Sequence, residues 1–281
     1  MKNLIQYIQA QLADKFSRNE IIVLNNMIIE KLTSLSYSNI FLNDNFQLTN
    51  EQIVDYQTIV ERLKKDEPVQ YILGYIYFYG LKFIVNQNVM IPRPETEELL
   101  EWILQKNSTG SILDIGTGSG CIAITLAEKN HNLKLWALDC SKEALEIAKK
   151  NAIINNVNIT FLENDILQIP HFEQKWDIIV SNPPYIPQSE RETMQKSVSE
   201  FEPNIALFVG DENPLIFYEK IIQFAKNQLN ANGKIYFEIH KNFGNETKIL
   251  LKKNGFKNII LKKDISGNDR MIYGEFDIKK D

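Results

Sequence analysis

Ser111-Ile-Leu-Asp114-Ile-Gly-Thr-Gly-Ser-Gly120 runs without a break into Cys121-Ile-Ala-Ile-Thr-Leu-Ala-Glu-Lys129. An apolar strand, then alternating glycines, then a helical pattern marks a strand–turn–helix unit. Gly116, Gly118 and Gly120 let the chain turn sharply and let a ligand approach the backbone directly. For the glycines alone three readings stay open: a nucleoside cofactor loop, a dinucleotide fold or a tight turn. A second apolar strand, Lys134-Leu-Trp-Ala-Leu-Asp139, ends in a carboxylate suited to the two hydroxyls of a ribose. Asp139 is equally placed to cap the helix opening at Ser141, and the two roles are compatible. A third strand, Ile159-Thr-Phe-Leu-Glu163, closes on Asn164-Asp165-Ile166, where an amide or carboxylate can meet an adenine amine and Ile166 can cover the ring.

A fourth apolar run, Trp176-Asp-Ile-Ile-Val-Ser181, has the character of a buried parallel strand and ends at Asn182-Pro183-Pro184-Tyr185. In open α/β sheets ligands bind at that carboxyl edge. The tetrapeptide is a clamp for a planar NH2 group: Asn182 offers its side-chain oxygen to one hydrogen and the Pro183 carbonyl takes the other. Neither proline carries an N–H that would compete. Consecutive prolines also fix φ, so the carbonyls are aimed before a substrate arrives. Tyr185 offers a flat face for a planar group. The plain alternative is a turn after a strand, since Asn-Pro and Pro-Pro are ordinary loop dipeptides.

Three strand ends thus converge on one nucleoside-bearing cofactor, with an amine clamp on a fourth. The segment from Asp114 to Gly120, taken with Asp139, resembles the cofactor site of class I S-adenosylmethionine-dependent methyltransferases. Asn182 to Tyr185 resembles the motif of the members that methylate amino or amide nitrogens. Pro68-Val-Gln-Tyr-Ile-Leu-Gly74, Phe78-Tyr-Gly-Leu-Lys-Phe83 and Val89-Met-Ile-Pro-Arg-Pro-Glu-Thr-Glu97 narrow the likeness further. With Phe201-Glu-Pro-Asn-Ile-Ala-Leu207 and Gly267-Asn-Asp-Arg270, they closely resemble the peptide chain release factor glutamine methyltransferases, the HemK/PrmC family. The likeness runs from about Pro68 to the C-terminus.

That resemblance implies an α/β fold: a class I S-adenosylmethionine-dependent methyltransferase (Rossmann-like) sheet whose last strand is antiparallel, with a small N-terminal helical domain. It implies cofactor contacts from Gly116, Thr117, Gly118, Ser119, Gly120, Asp139, Ile166 and Asn182. Substrate contacts fall to Asn182, Pro183, Pro184 and Tyr185, and catalysis to Asn182, Pro183 and Tyr185, without a metal. The implied substrate is the glutamine of the Gly-Gly-Gln loop of class I release factors, methylated on its side-chain nitrogen. One departure is visible, because Phe237-Glu-Ile-His-Lys-Asn242 stands where many members have a Gly and a downstream Gln after the Glu-Ile pair. His240 is expected there as an ordinary residue after a strand rather than a base. Arg93 and Glu97 are open to two readings, support of the site or a surface salt bridge.

The chain has 281 residues, enough for one large domain or two smaller ones. Leu4, Ile8, Leu12 and Phe16 recur at helical spacing, and Ser17-Arg-Asn-Glu20 and Thr49-Asn-Glu-Gln52 read as capping boxes. The expected division is a helical substrate-docking domain at 1–67, a β-hairpin linker at 68–94 and a methyltransferase domain at 95–281. The linker carries a hairpin over 75–85 and the Pro92-Arg93-Pro94 turn. A helix around 214–229, a strand at 234–238, a helix at 243–254 and two final strands complete an alternating pattern.

A formal net charge of −5 argues against broad nucleic-acid binding, and the first 80 residues carry seven basic against nine acidic side chains. The lysines at 252, 253, 257, 262 and 263 read as a solvated helix and strand edge. Cys121 and Cys140 show no ligand spacing and read as small packing residues. With no signal-peptide pattern and no apolar run of membrane-spanning length, a cytoplasmic protein with no membrane contact is expected. Two rival functions remain from the residues themselves: an amino-directed nucleic-acid methyltransferase, which would want a basic groove, and a noncatalytic cofactor-binding protein, which would not need the clamp. A nicotinamide dehydrogenase explains the glycines and Asp139 but leaves the tetrapeptide without a role.

Overall fold

Apolar runs that end in glycine, Asp139 and Asn182 become neighbouring strands of one sheet, and their register decides what stands beside what. The computed structural model describes residues 2–35, 39 and 46–276, so the outermost ends of the first and last expected domains lie outside the described residues. The chain divides into two compact units, Met1–Gly74 with Gln195–Phe201, and Tyr75–Met194 with Glu202–Asp281.

In the helical unit, helices span Lys2–Leu12, Arg18–Thr33, Asn50–Lys64 and Val69–Leu73. Both expected capping boxes form. The Ser17 N–H donates to Glu20 at 2.8 Å and Thr49 N–H to Gln52 at 2.9 Å, and each hydroxyl accepts the returning backbone N–H. Each cap satisfies helix-end donors that would otherwise be orphaned, at about 1 kcal/mol apiece. The apolar faces close on a core that includes Ile8, Leu12, Ile28, Tyr56 and Val60. Tyr56 keeps its buried hydroxyl satisfied by donating to Asn25 at 2.8 Å. Ile72 packs into this same core, which draws helix Val69–Leu73 into the helical unit; the expected linker began at 68, and the division falls after Gly74 instead.

The second unit opens with the hairpin β1 (Tyr75–Phe78) and β2 (Leu81–Ile84), turned by Tyr79 and Gly80 at φ 49° and 77°. Phe78 and Phe83 are buried in the core of this unit, so the hairpin is part of the α/β body rather than a free connector. Its main sheet has seven strands: β3 (Gly110–Ile115), β4 (Leu133–Asp139), β5 (Thr160–Glu163), β6 (Trp176–Ser181), β9 (Leu229–Glu238), β10 (Phe256–Lys263) and β11 (Asp269–Phe276). Their order is β10-β11-β9-β6-β3-β4-β5. The β3–β4, β3–β6, β4–β5 and β6–β9 pairs are parallel, and β11 runs antiparallel to both β9 and β10. β9 begins five residues before the expected strand at 234, because Leu229 already pairs with Trp176.

The register matters most for the site. Ile115 pairs with Leu138 and with Ser181, and Ser181 pairs with Phe237. The next residues along these strands, Gly116, Asp139, Asn182 and Glu238, therefore leave the sheet side by side at one level of its carboxyl edge. A two-residue pair that the sequence did not announce, β7 (Ile186–Pro187) beside β8 (Phe208–Val209), ties the stretch after the clamp to the short helix Asn204–Leu207.

Candidate active site

One cleft of about 210 Å³ opens along this edge. The glycine loop forms its floor because Asp114, at the end of β3, turns back under it. Asp114 Oδ2 accepts the Thr117 hydroxyl at 2.6 Å and the Ala123 N–H at 3.3 Å, closing the loop onto the start of helix Cys121–Lys129. Asp114 is fully buried and its Oδ1 has no partner among the described residues. Burial accordingly pushes its carboxyl up to about 7, against the pull of the Thr117 and Ala123 hydrogen bonds.

The glycines play unequal parts. Gly116 and Gly118 hold φ of 71° and 54°, and among the described residues nothing stands within 4 Å of where a β-carbon would sit, so their backbone lies open to a ligand. Gly120 stands back from the lining. A β-carbon there would come 2.7 Å from Ile124 Cδ1 and 3.2 Å from Ala148 Cβ, so this glycine serves the packing of helix Cys121–Lys129 on helix Lys142–Ile154. Thr117 and Ser119 line the cleft.

Asp139 lines the cleft half-buried, its Oδ2 accepting the Gly118 N–H at 2.8 Å and its Oδ1 the Ser141 N–H at 2.9 Å. Burial raises its carboxyl, with the Ser141, Gly118 and Cys140 N–H groups opposing. The helix cap proper is Ser141, whose hydroxyl accepts the Ala144 N–H at 3.1 Å. Asp139 thereby pins the glycine loop and remains at the cleft surface. Asn164, Asp165 and Ile166 also line it, with Asp165 capping the turn at Ile166–Gln168. An open glycine backbone, a strand-end carboxylate and an apolar wall at Leu138, Ile166 and Leu167 fit a nucleoside carrying a polar tail. The two cysteines line the cleft too, neither in a disulfide, and burial pushes the Cys121 thiol up to about 12.

At the other end stand Asn182, Pro183 and Pro184, all in the lining. Here the support comes from far along the chain. Asn182 Nδ2 donates to Thr96 Oγ1 at 3.3 Å, and the Thr96 hydroxyl donates to Glu238 Oε2 at 2.6 Å. Glu238 Oε1 accepts the Tyr185 hydroxyl at 3.1 Å. Both Thr96 and Glu238 are about 1 % exposed. Tyr185 is half-buried and stands behind the cleft lining formed by Asn182, Pro183 and Pro184. Its hydroxyl needs a partner at this depth and finds Glu238, and its ring lies edge-on to His240 at 5.9 Å. Burial raises Glu238, and the Thr96 hydroxyl, Arg270 and the Tyr185 hydroxyl favour its charged form.

The departure at 237–242 has an ordinary account. His240 Nδ1 accepts the Asn242 N–H at 3.2 Å, which leaves Nε2 to donate to Glu190 at 3.2 Å. It is a buried, doubly satisfied ring beside Phe243. Arg93 pairs with the buried Glu202, which also accepts the Ile91 N–H at 3.0 Å and so ties down the segment leading to Thr96. Glu97 instead accepts the Tyr79 N–H at 2.6 Å and fixes the hairpin turn. Thr96 and Glu238 join the site through Asn182, although nothing local in the sequence marks Thr96 for it. The one signal for Glu238 is its place as a carboxylate at the end of the strand expected at 234–238.

The family pattern of the methyltransferase small domain matches residues 95–201, and that of the PrmC N-terminal domain matches residues 3–74. A release factor glutamine methyltransferase of Flavobacterium psychrophilum is 48% identical over 277 residues, covering 96% of this chain and 97% of the relative. One of Bacteroides thetaiotaomicron is 38% identical, covering 97% and 99%. Among solved structures, a methyltransferase from Pyrococcus furiosus superposes with a TM-score of 0.53 at 20% identity, over 72% of this chain and 91% of that one, a likeness of fold.

Proposed function

We propose that this chain, which belongs to the release factor glutamine methyltransferase family, transfers a methyl group from S-adenosylmethionine to the side-chain amide nitrogen of the glutamine in the Gly-Gly-Gln loop of class I peptide chain release factors. The observation that carries this reading is a single cleft in which Gly116, Gly118 and Asp139 lie at one end and Asn182, Pro183 and Pro184 at the other. Bound in that cleft, S-adenosylmethionine supplies a methyl carbon made electrophilic by its sulfonium charge.

The residues of the chain handle the acceptor. An amide nitrogen delocalises its lone pair into the carbonyl and is a poor nucleophile until its hydrogens are held by acceptors that favour charge on nitrogen. Asn182 Oδ1 takes one hydrogen and the Pro183 carbonyl the other, and holding the nitrogen in line is worth more than any base. The proton leaves after transfer, when the nitrogen is acidic. Gly116, Thr117, Gly118, Ser119, Asp139 and Ile166 hold the cofactor. Gly120 acts through the shape of the loop and Tyr185 through Glu238.

The helical unit is the docking part of this reading. It carries a core of its own, and its capped helices offer a rigid surface to a folded partner. The net charge of −5 favours a protein substrate over nucleic acid, and no helix among the described residues is long and apolar enough to cross a membrane; the cytoplasm, where release factors act, is the site of action in this reading. The test is transfer of labelled methyl to a purified class I release factor, beside a factor whose loop glutamine is replaced and beside bare RNA and DNA. Label on the native factor alone is expected. Label on nucleic acid, or equal label on the replaced factor, would sink the proposal.

A further inference from the structure

Asn182 is useful to an amide substrate only one way round. Its oxygen must face the substrate hydrogens, because an NH2 group facing another NH2 sets donor against donor. Asparagine can rotate its amide by half a turn at little intrinsic cost, so the choice must be made by what holds the far side. That side is held by Thr96 Oγ1, at 3.3 Å from Asn182 Nδ2. A hydroxyl is both donor and acceptor, and by itself does not choose either. Glu238 removes the ambiguity: its Oε2 accepts the Thr96 hydroxyl at 2.6 Å and its Oε1 the Tyr185 hydroxyl at 3.1 Å, so both of its oxygens are committed as acceptors. With its single proton committed to Glu238, Thr96 presents lone pairs to Asn182, which must then present its NH2 and leave its oxygen to the cleft.

We propose that Thr96 and Glu238 are positioning residues for methyl transfer, forming a one-way chain, Asn182 NH2 to Thr96 hydroxyl to Glu238 carboxylate, that fixes the Asn182 oxygen toward the substrate amide. The inference rests on the reading of Asn182 as the substrate clamp. Both residues are buried, and they arrive from separate elements: Thr96 from the first turn of helix Pro94–Lys106 and Glu238 from the end of β9. Glu238 holds Tyr185 by its other oxygen, so one carboxylate steadies both ends of the tetrapeptide. The Arg93–Glu202 pair anchors the start of the helix that carries Thr96.

The test compares the full chain with Thr96→Val, Thr96→Ser and Glu238→Gln, measuring kcat and KM for a class I release factor and the Kd of S-adenosylmethionine. Valine keeps the shape and removes the hydroxyl. It is expected to lower kcat about 10-fold or more with cofactor Kd unchanged, and serine is expected to return kcat to within about 3-fold of the native value. Glu238→Gln has one oxygen for two hydroxyl donors and is expected to lose kcat as well. The decisive arm adds Thr96→Val to Asn182→Ala. A residue acting through Asn182 costs nothing further once Asn182 is gone, whereas one that merely shapes the fold costs the same in both backgrounds. Additive losses, failure of serine to rescue, or a Thr96→Val loss confined to cofactor Kd would overturn the inference. Should valine not fold, Thr96→Ala in the two Asn182 backgrounds gives the same comparison, since it too removes the hydroxyl that faces Asn182. A native chain that labels the release factor while Thr96→Val stays fully active overturns this inference alone; a native chain that labels no release factor overturns the reading beneath it as well.

Discussion

Two buried carboxylates underlie the two ends of the cleft, and they are satisfied in opposite ways. Asp114, under the cofactor end, takes the Thr117 hydroxyl and the Ala123 N–H on one oxygen, while its other oxygen has no partner among the described residues. Glu238, under the clamp, gives one oxygen to Thr96 and the other to Tyr185. Burial raises both acids. Asp114 reaches donors within nine residues of itself, so it organises a local loop. Glu238 reaches back to Thr96 over 142 residues and to Tyr185 over 53, so it joins distant segments. The cofactor end is a backbone structure with side chains trimming it. The clamp end is a side-chain network whose polarity matters.

The largest expected difference between them is electrostatic. The Asp114 carboxyl is pushed from the ordinary 3.8 to about 7, so between these values the folded chain holds a proton that the unfolded chain has released. Stability from this group is full below about pH 4 and is lost as pH rises to about 7. A separation from 3.8 to about 7 corresponds to roughly 4 kcal/mol as an upper figure. Asp114→Asn has no charge to bury, so its stability is expected to fall less than that of the native chain between pH 4 and 8, read by equilibrium unfolding. Parallel profiles would show that Asp114 is not the group responsible. The same amide change at Glu238 is not its counterpart, because there an acceptor is lost.

Next in size is Asn182→Ala, which removes the acceptor at the clamp without touching the glycine loop. A loss of about 10²-fold in kcat, or ~2.7 kcal/mol, is expected with cofactor affinity preserved. Weaker cofactor binding with kcat kept within a few-fold would move Asn182 to the cofactor end and erase the contrast.

The same contrast governs what the sequence makes visible. Asp114 to Gly120 and Asp139 are close in the chain, and a strand followed by glycines and a helix admits few geometries, so the floor of the cleft can be read directly. The sheet follows from the alternation of apolar runs with helical ones, and the reversed last strand from the family resemblance. Thr96 is different: its neighbours Pro92 to Glu97 draw notice as a motif, yet nothing local says that the hydroxyl at 96, rather than Arg93 or Glu97, turns toward Asn182. That depends on Glu238, and so on the β6–β9 register that sets Ser181 opposite Phe237. The orientation of Tyr185 depends on the same carboxylate. An aromatic after two prolines suggests a stacking face, and only the buried carboxylate explains why its hydroxyl turns inward. Gly120 looks like a third ligand-facing glycine until Ile124 and Ala148 are seen against it.

The smallest effect belongs to Asp139, and it separates the two ends most cleanly. Its two oxygens already accept the Gly118 and Ser141 N–H groups, so the carboxylate is oriented before any ligand arrives. Asp139→Ala removes that orientation along with the acceptor for ribose hydroxyls. Hydrogen bonds to a charged group are worth about 1.5–3 kcal/mol. Part of that is offset here because Gly118 and Ser141 sit beside a solvent-accessible cleft and water can replace the lost acceptor. A rise of about 10-fold in cofactor Kd is therefore expected, ~1.4 kcal/mol, with kcat at saturating cofactor within a few-fold of native. Isothermal binding of the cofactor beside single-turnover transfer reads both quantities. If Asp139→Ala instead cut the transfer step as deeply as Asn182→Ala and left Kd unmoved, the glycine end would be shaping the acceptor nitrogen too. The division between a backbone cradle for the donor and a side-chain clamp for the acceptor would then have to be given up.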